Sequence, residues 1–304
     1  MEAIVYEEFG GPGVLHLARL DAPRPGPGQV RVAVRAAGVN PLDHKIRSGA
    51  MEPVFPTALP ATPGAEFSGV VEEAGEGVTA FAPGDEVLGW SATGSYAAEA
   101  LAEESSLAPK PPDLSWAQAA ALPVATDTAS RVLDELALAE GETLLLHGAS
   151  GGVGSVAVQL AVARGATVIG TASPANHDFL RVLGAVPVAY GSGLVERVRE
   201  LAPQGVDAVF DVSGRGALPE SIELRGGTTD RIVTIADGDA AELGVAFSSG
   251  GGGPSAGRLA ENARLAASGE LRVEVSRSFP LADARSAHEA SEAGHVRGKM
   301  VLLP

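Results

Sequence analysis

Cysteine is absent from this chain of 304 residues. Disulfide bonds, a thiol nucleophile and thiolate-bound zinc are therefore excluded, while the compartment is left open by this absence. Lysine is nearly as scarce, and any amine chemistry must use Lys45, Lys110 or Lys299.

Positive charge is also in short supply, with 22 basic against 38 acidic residues and a formal net charge of −16. Nucleic acid and anionic membrane surfaces are disfavoured as partners, because both bind a basic face. No uninterrupted apolar run is long enough to span a bilayer. The first ten residues are acidic and lack the apolar core of a signal peptide. We therefore expect a cytoplasmic protein.

The chain is long enough for two ordinary domains, and its first part is mostly β in character. Gln29–Ala36 alternates apolar and polar residues, as a half-buried strand does, and Glu66–Glu73 continues the pattern. Proline and glycine punctuate Met1–Gly89 densely, which predicts short strands in a small irregular barrel. A helix predicted over Leu114–Leu122 leads out of that barrel.

From about Pro123 the pattern changes to strands that alternate with helices, which predicts a parallel, doubly wound sheet. The predicted strands are Thr143–His147, Ala166–Thr171, Pro187–Tyr190, Val206–Val212, Arg231–Ala236 and Gly244–Phe247. A helix at Ala256–Ser268 and strands at Leu271–Ser278 and Lys299–Leu303 are then predicted to return the chain to the first domain. The glycine-rich Ser248–Ser255 fits either a linker or a mobile lid.

One stretch, Thr143–Gly154, carries the first functional signal. Its sequence TLLLHGASGGVG places a short buried strand before a glycine turn, and Ser155–Arg164 follows with small and apolar residues at helical spacing. The glycines let a pyrophosphate approach the backbone, and the helix N-terminus offers free N–H groups and about half a positive charge. The spacing is Gly-x-x-Gly-x-x-Gly, so a turn without a ligand is the alternative. The flanking strands and helix favour a dinucleotide site.

The end of the second strand indicates which dinucleotide is bound. A carboxylate about 20 residues past the first glycine usually bonds the adenosine ribose. Here the strand ends at Gly170–Ser173, and Asp178 lies further on, within the next helix. A carboxylate would repel a 2′-phosphate, so its absence favours NADPH over NADH. Ser173 is the candidate partner of that phosphate, with Asn176 and His177 behind it. A plain helix cap is the alternative role of Ser173, and one residue can do both.

Five longer motifs run through the chain. They are AAGVNPLDHKIRSG at Ala36–Gly49, PGAEFSGVVEEAGEGVTAFAPGDEVLG at Pro63–Gly89, AALPVATDTA at Ala120–Ala129, HGASGGVG at His147–Gly154 and RGKMVL at Arg297–Leu302. Together they span essentially the whole chain. On these motifs the chain resembles the zinc-free quinone oxidoreductase branch of the medium-chain dehydrogenase/reductase superfamily.

The resemblance implies an α/β protein: a GroES-like β-barrel catalytic domain joined to a Rossmann domain with a doubly wound parallel sheet, the substrate lying in the cleft between them. We expect residues 1–122, completed by 257–304, to form the catalytic domain and residues 123–256 to bind NADPH. Many members of the family are homodimers. The last predicted strand, Gly244–Phe247, would leave an open edge in a monomer, so we expect a homodimer through this edge.

The resemblance also bears on metal chemistry. Zinc-containing members place a cysteine where Asn40 stands and a histidine where Ala65 precedes Glu66, so both ligands are missing and we expect no metal. Reduction of a simple ketone concentrates charge on one oxygen, for which zinc is the usual Lewis acid. A carbon–carbon double bond conjugated to a carbonyl is an easier acceptor. Its charge spreads into an enolate, which neutral hydrogen-bond donors can stabilise.

Three residues are the catalytic candidates. The resemblance places Asn40 beside the nicotinamide as the first donor, and a loop cap is its alternative. Asp43 either orients its neighbours or caps a helix over His44–Ser48. Lys45 stands where relatives place a tyrosine. It either stabilises the enolate or supplies the α-carbon proton, with a solvated surface lysine as the alternative. Arg47 is expected to be structural.

The candidate cofactor ligands follow largely from the same resemblance. Thr128 matches a threonine that contacts the nicotinamide amide, with helix capping as the alternative. Lys299 matches a basic residue near the pyrophosphate, with an ordinary strand lysine as the alternative. Trp90, Tyr96 and Phe247 line either a substrate pocket or the core. The other predicted ligands of the cofactor are Gly148, Ser150, Gly151, Gly152, Val153, Gly154, Ser173, Asn176, Tyr190 and Ser213.

These observations predict a zinc-independent, NADPH-dependent oxidoreductase that transfers hydride to a small-molecule quinone or to the C=C bond of an α,β-unsaturated carbonyl. Neither nucleic acid nor a membrane is expected as a partner. One alternative is a dedicated enoyl reductase acting on a polyketide-type intermediate. The other is a non-catalytic NADPH-binding sensor, because a fold does not guarantee activity.

Overall fold

The computed structural model describes residues 1–250, 253 and 255–304. The chain forms two compact units, one of Met1–Val124 and Pro254–Pro304 and the other of Ala125–Gly253. No helix within the described ranges is long and apolar enough to cross a membrane. Part of the predicted linker or lid at Ser248–Ser255, namely residues 251, 252 and 254, lies outside the described residues.

Antiparallel strands dominate the first part of the first unit, as its alternating segments predict. Its elements up to the second unit are β1 (Glu2–Val5), β2 (His16–Arg19), β3 (Gln29–Val39), α1 (Pro41–Arg47), β4 (Glu66–Ala74), β5 (Glu86–Trp90), β6 (Glu99–Glu103), β7 (Leu107–Pro109) and α2 (Trp116–Ala120). β1 and β2 pair with each other. The predicted helix over Leu114–Leu122 is shorter than expected, because Ser115 caps it at one end and Ala121 closes it at the other.

The second unit contains a six-stranded sheet in which every neighbouring pair is parallel. Its elements are α3 (Pro123–Glu135), β8 (Thr143–His147), α4 (Gly152–Ala163), β9 (Thr167–Ala172), α5 (His177–Val182), β10 (Val186–Ala189), α6 (Leu194–Leu201), β11 (Ala208–Asp211), α7 (Leu218–Leu224), β12 (Ile232–Thr234), α8 (Ala240–Leu243) and β13 (Ala246–Phe247). The strand order is β10-β9-β8-β11-β12-β13. The fully buried β8 lies inside the sheet, with the glycine turn at its carboxyl end.

The chain returns to the first unit after β13. The returning elements are α9 (Ala256–Ala267), β14 (Val275–Pro280), α10 (Ala284–Ala293) and β15 (Lys299–Leu303). With them the larger sheet of the first unit has the order β14-β15-β3-β4-β5-β7, and β6 also pairs with β3. The strand predicted over Leu271–Ser278 is displaced: Leu271 and Val273 are buried in irregular backbone, and the strand begins at Val275.

β3 is the strand that positions the site. It continues past the predicted end at Ala36 to Val39, where every residue is buried and the alternation disappears. Ala37 pairs with Phe67 of β4, and Val39 pairs with Met300 of β15. This register gathers the residue that follows β3 and the first residues of β4 and β15 at one place in the sheet.

Candidate active site

The gathered residues are Asn40, Glu66 and Lys299, and their side chains form a closed hydrogen-bonded triangle. The Lys299 ammonium donates to Asn40 Oδ1 at 2.5 Å and to Glu66 Oε1 at 2.6 Å. Asn40 Nδ2 donates to the same Glu66 Oε1 at 2.8 Å. All three residues are buried, with exposed fractions of 5%, 0% and 5% for Asn40, Glu66 and Lys299. A buried charge of this kind is stable only when it is paired and hydrogen-bonded, and both conditions hold here.

The Glu66 carboxylate is held from the backbone as well. Its second oxygen, Oε2, accepts the Val124 N–H at 2.7 Å. Gly38 supplies the space that the carboxylate fills, since a Cβ at this position would lie 2.3 Å from Glu66 Oε1 and 2.7 Å from the Ala120 carbonyl. A residue with a side chain at position 38 would therefore displace the carboxylate.

Asp43 lies in the first turn of α1 and holds the backbone of Asn40 by a hydrogen bond. Its Oδ2 accepts the Asn40 N–H at 2.8 Å and the Tyr96 hydroxyl at 3.0 Å. Burial raises the pKa of Asp43 to about 6, although the Asn40 N–H, the Tyr96 hydroxyl and the Lys299 charge all lower it. The helix begins at Pro41, before the predicted His44–Ser48, so Asn40 takes the N-cap position and Asp43 is the third helical residue. Its carboxylate orients its neighbour by accepting the Asn40 N–H.

Tyr96 extends this network away from Asn40. Its hydroxyl lies 3.4 Å from His288 Nε2, and His288 Nδ1 lies 3.1 Å from an Arg47 guanidinium nitrogen. Arg47 in turn pairs with Glu292, which is partly exposed. Since the guanidinium can only donate, His288 Nδ1 is the acceptor. Burial, followed by the Arg47 charge, lowers the pKa of His288 to about 3. Arg47 is thus a buried structural residue, and Tyr96 belongs to this network rather than to a pocket lining.

Two predicted lysine roles come out differently. Lys45 is half-buried on α1, and its side-chain ammonium makes no hydrogen bond or ion pair with any residue that the structure describes. Lys299 is not an ordinary strand lysine, and its predicted contact with the cofactor pyrophosphate stays a prediction. The ammonium of Lys299 is committed to Glu66 and Asn40 within the first unit. No sequence motif predicts this contact.

The glycine turn of the second unit provides a cradle for a phosphate. Gly148 has a φ of +73°, which favours glycine. A Cβ at Gly151 would meet only the Gly148 carbonyl, at 3.5 Å, so the space beside it is open. α4 begins at Gly152 with no side-chain cap. The N–H groups of Gly152, Val153 and Gly154 have no acceptor among the described residues. Such groups at a helix N-terminus bind anions.

Gly154 is needed for a different reason than the one predicted. A Cβ there would lie 2.3 Å from the Gly148 carbonyl and 2.8 Å from Ala149 Cα. The missing side chain thus allows α4 to pack on its own turn. The open space beside this turn lies at Gly151 instead.

The predicted 2′-phosphate residues lie together at the carboxyl ends of β9 and β10. Asn176 Nδ2 lies 3.3 Å from Ser150 Oγ and 3.4 Å from Ser173 Oγ. The ring of Tyr190 follows β10 and is 54% exposed. Ser173 takes the N-cap position of the short helix Pro174–Asn176 and its carbonyl accepts the Asn176 N–H, but its hydroxyl accepts no capping hydrogen bond from the backbone of that helix. Neutral donors therefore make up this cluster.

Two further predicted cofactor residues have clear local positions. Thr128 lies in the interior of α3, so helix capping does not explain it. Ser213 follows β11, where its hydroxyl and N–H both donate to Asp211 Oδ1, at 2.7 Å and 2.9 Å. Asp211 also accepts the Thr234 hydroxyl at 2.8 Å, and this fixes the loop after β11 to the neighbouring strand. The ring of Phe247, which is predicted to line either a pocket or the core, lies on β13, where this residue is 48% exposed. It is therefore not a core residue.

Comparison with known proteins places these two units. Residues 26–112 match the alcohol dehydrogenase GroES-like domain, and residues 183–302 match the zinc-binding dehydrogenase family. The quinone oxidoreductase of Mus musculus is 34% identical, over 100% of this chain and 98% of that protein. The chain belongs to the quinone oxidoreductase branch of the medium-chain dehydrogenase/reductase superfamily. The resemblance drawn from the motifs is confirmed, as is the α/β fold with a GroES-like domain and a parallel Rossmann sheet.

Two further similar proteins bear on the function. The Escherichia coli quinone oxidoreductase, solved in complex with NADPH, superposes with a TM-score of 0.88 at 29% identity and covers 100% of both chains. A spectinabilin polyketide synthase system protein of Streptomyces orinoci is 38% identical over 91% of this chain, which corresponds to 13% of that protein.

The name of the second matched family implies zinc, and the residues of this site do not fit that ion. Zinc takes cysteine, histidine and carboxylate ligands. The resemblance places the two zinc ligands at Asn40 and Ala65, where this chain has neither cysteine nor histidine, and the Lys299 ammonium already bonds both Asn40 and Glu66. Within the described ranges, no group of three or more histidine, cysteine, aspartate or glutamate residues could hold a metal ion. The donor set suits a hydrogen-bonded cluster.

Proposed function

We propose that this chain is a zinc-independent, NADPH-dependent reductase that transfers hydride to a quinone or to the C=C bond of an α,β-unsaturated carbonyl. The buried triangle of Asn40, Glu66 and Lys299 carries the proposal. It places an amide donor, instead of a metal ligand set, at the position that holds zinc in relatives.

The residues of the second unit fit NADPH. The open space at Gly151 and the N–H groups at the start of α4, which have no acceptor in the described part of the chain, would hold the pyrophosphate. Ser150, Ser173 and Asn176 would donate hydrogen bonds to the 2′-phosphate. When bound, NADPH supplies the hydride. The NADPH complex of the Escherichia coli relative supports this assignment.

Asn40 determines which acceptor can be reduced. In a saturated ketone, hydride addition leaves a full negative charge on one oxygen, which a Lewis acid or a strong proton donor usually stabilises. In an enone or quinone that charge is delocalised, and a buried amide N–H is a sufficient donor. Loss of one such donor typically costs about 3 kcal/mol of transition-state stabilisation. The acceptor class therefore follows from the neutral donor at position 40.

The source of the α-carbon proton is open between Lys45 and water. Lys45 is half-buried and unpaired among the described residues, so it is available for either role. A large loss of turnover in Lys45→Ala would assign the proton or the enolate charge to this lysine. Unchanged turnover would leave the proton to water.

A labelling experiment tests the proposal. NADPH deuterated at its transferable position is incubated with 2-cyclohexenone, with a naphthoquinone, and with cyclohexanone as the saturated control. We expect reduction of the first two, with deuterium on the β-carbon of the cyclohexenone product and no reaction of cyclohexanone. Metal analysis of the purified protein accompanies the assay. Stoichiometric zinc with activity lost on chelation, or rapid metal-free turnover of cyclohexanone, would contradict the proposal.

A polyketide enoyl reductase is the second candidate, and the similarity to the Streptomyces orinoci protein favours it. An enoyl thioester is also an α,β-unsaturated carbonyl, so the same site chemistry applies. Comparing kcat/KM for crotonyl thioesters with kcat/KM for quinones distinguishes the two. A strong preference for the thioester would assign the chain to this class.

A further inference from the structure

We propose that Lys299 and Glu66 act as positioning residues for Asn40, holding its side-chain amide in one orientation with a single N–H left for the substrate oxygen. This inference rests on the proposed function, since it assumes that Asn40 is the donor to the reduced carbonyl. It gives Lys299 a role other than contact with the cofactor.

The chemistry of the three groups fixes the amide. An asparagine side chain can flip by about half a turn, which exchanges its oxygen and its nitrogen. An ammonium only donates hydrogen bonds and a carboxylate only accepts them. Lys299 faces Oδ1 at 2.5 Å and Glu66 Oε1 faces Nδ2 at 2.8 Å. The flipped amide would set Nδ2 against the ammonium and Oδ1 against the carboxylate, so the flipped state is strongly disfavoured.

The count of donors leaves one N–H available. Asn40 Nδ2 carries two hydrogens, and one is used by Glu66. The second has no acceptor among the residues that the structure describes. A hydrogen bond from the ammonium to Oδ1 also polarises the amide, which makes the remaining N–H a stronger donor. The charge of Lys299 is therefore transmitted to the substrate through Asn40.

The rest of the cluster keeps the two anchors in place. The Val124 N–H holds the other oxygen of Glu66 at 2.7 Å, and Gly38 leaves room for that carboxylate. Asp43 fixes the Asn40 backbone separately, at 2.8 Å. The backbone of residue 40 thus stays in place when the amide alone is released, which makes the role of Lys299 separable by mutation.

A double-mutant cycle tests the inference. We expect Lys299→Met to lower kcat for quinone and enone by about 10- to 100-fold, with the NADPH Kd changed less than about two-fold, because orientation matters in the transition state. Asn40→Ala is expected to lose at least as much. In the Asn40→Ala background, Lys299→Met is expected to cause no further loss, since it acts through an amide that is no longer present.

Two further variants serve as controls for a folding defect. Lys299→Met leaves the buried Glu66 carboxylate without its cation, so a Glu66→Gln/Lys299→Met double variant removes both charges. Lys110→Met is the matched control. Lys110 is also buried and pairs with a glutamate, Glu86, at 2.9 Å, but it contacts none of the three residues. We expect Lys110→Met to change the melting temperature and leave kcat unaltered.

The orientation itself has a readout that needs no turnover. In ¹⁵N-labelled protein the side-chain NH₂ signals of Asn40, assigned by their loss in Asn40→Ala, should show two well-separated protons. In Lys299→Met these signals should shift and the two protons should converge, while the Lys110→Met spectrum keeps them. Unchanged Asn40 signals in Lys299→Met would overturn the inference whatever the activity.

The remaining outcomes separate this inference from the proposed function. A loss of NADPH affinity of about ten-fold or more in Lys299→Met, with kcat unchanged, would show that the lysine acts on the cofactor and would overturn the inference. The inference would also be overturned if the losses of kcat caused by Asn40→Ala and by Lys299→Met multiplied in the variant that carries both. If the wild-type protein reduces neither quinone nor enone, the proposed function fails, and the NMR result still decides whether Lys299 orients Asn40.

Discussion

His288 makes the stability of the first unit depend on pH, and replacing it provides a direct test of the buried network. His288 is fully buried on α10, where its Nδ1 accepts from Arg47 and its Nε2 lies against the Tyr96 hydroxyl. Asparagine retains an acceptor in place of Nδ1 and does not titrate. His288→Asn therefore removes the titration while keeping the bond to Arg47.

The magnitude follows from the two pKa values. Burial lowers the pKa of His288 to about 3, against about 6.5 in an unfolded chain. The unfolded state binds the extra proton, so the stabilisation is complete above pH 6.5 and is lost as the pH falls towards 3. At pH 5, about 1.5 pH units below the unfolded pKa, the loss is about 2 kcal/mol at about 1.4 kcal/mol per unit. His288→Asn has no titrating group at this position, so its unfolding free energy does not fall for this reason.

Urea unfolding, monitored by tryptophan fluorescence, measures the stability of the first structural unit. The only two tryptophans, Trp90 and Trp116, both lie in the unit that contains His288. Unfolding free energies are compared between about pH 7.5 and pH 5 in the wild type and in His288→Asn. Asp43 contributes with the opposite sign, because its pKa is raised to about 6, but it is present in both proteins.

The variant is expected to be less stable than the wild type at pH 7.5, since the edge contact of the imidazole with Tyr96 is lost. On acidification the gap should narrow by about 2 kcal/mol. His16→Asn, at an exposed histidine of the same unit, is the matched control and should follow the wild type. Parallel pH profiles for His288→Asn and the wild type would refute the reasoning.

Three further outcomes are expected. Gly151→Val should abolish NADPH binding and leave the melting temperature nearly unchanged, whereas Gly154→Val should destabilise the second unit itself. Titration calorimetry measures the binding and thermal melts measure the stability. If the two variants behaved alike, the separate roles given to these glycines would be contradicted. Ser173→Ala should weaken the preference for NADPH, so that the dissociation constants of NADH and NADPH come closer together. Equal dissociation constants in the parent protein would contradict the choice of NADPH as cofactor. The outer edge of the two-residue β13 should pair with a second copy of the chain, and a monomer mass by light scattering at micromolar concentration would contradict that.

Local pattern was enough to predict much of the fold. The strands Thr143–His147 and Lys299–Leu303 lie where they are predicted, because each is a short apolar run bounded by polar or glycine residues. One error occurs where burial is complete on both faces. β3 extends past Ala36 because its end packs on both sides, so alternation no longer marks it.

The site could be predicted residue by residue but not as an assembly. Asn40 and Lys299 were both candidates, yet they are 259 positions apart and meet only through the register of β15 on β3. Glu66 was noticed only as the neighbour of a missing zinc ligand, although a carboxylate that opens an apolar strand indicates a buried partner. His288 had no signal at all, because its place on α10 depends on tertiary packing.

The burial of two of the three lysines has a consequence for chemical labelling of this protein. Lys110 and Lys299 are both inside ion pairs, with side chains 4% and 6% exposed, and are shielded from amine-reactive reagents. Lys45 and the exposed amino terminus of Met1 are the accessible amines. A fluorophore coupled to Lys45 would be carried by α1, the helix that begins directly after Asn40, and could be attached without any engineered cysteine.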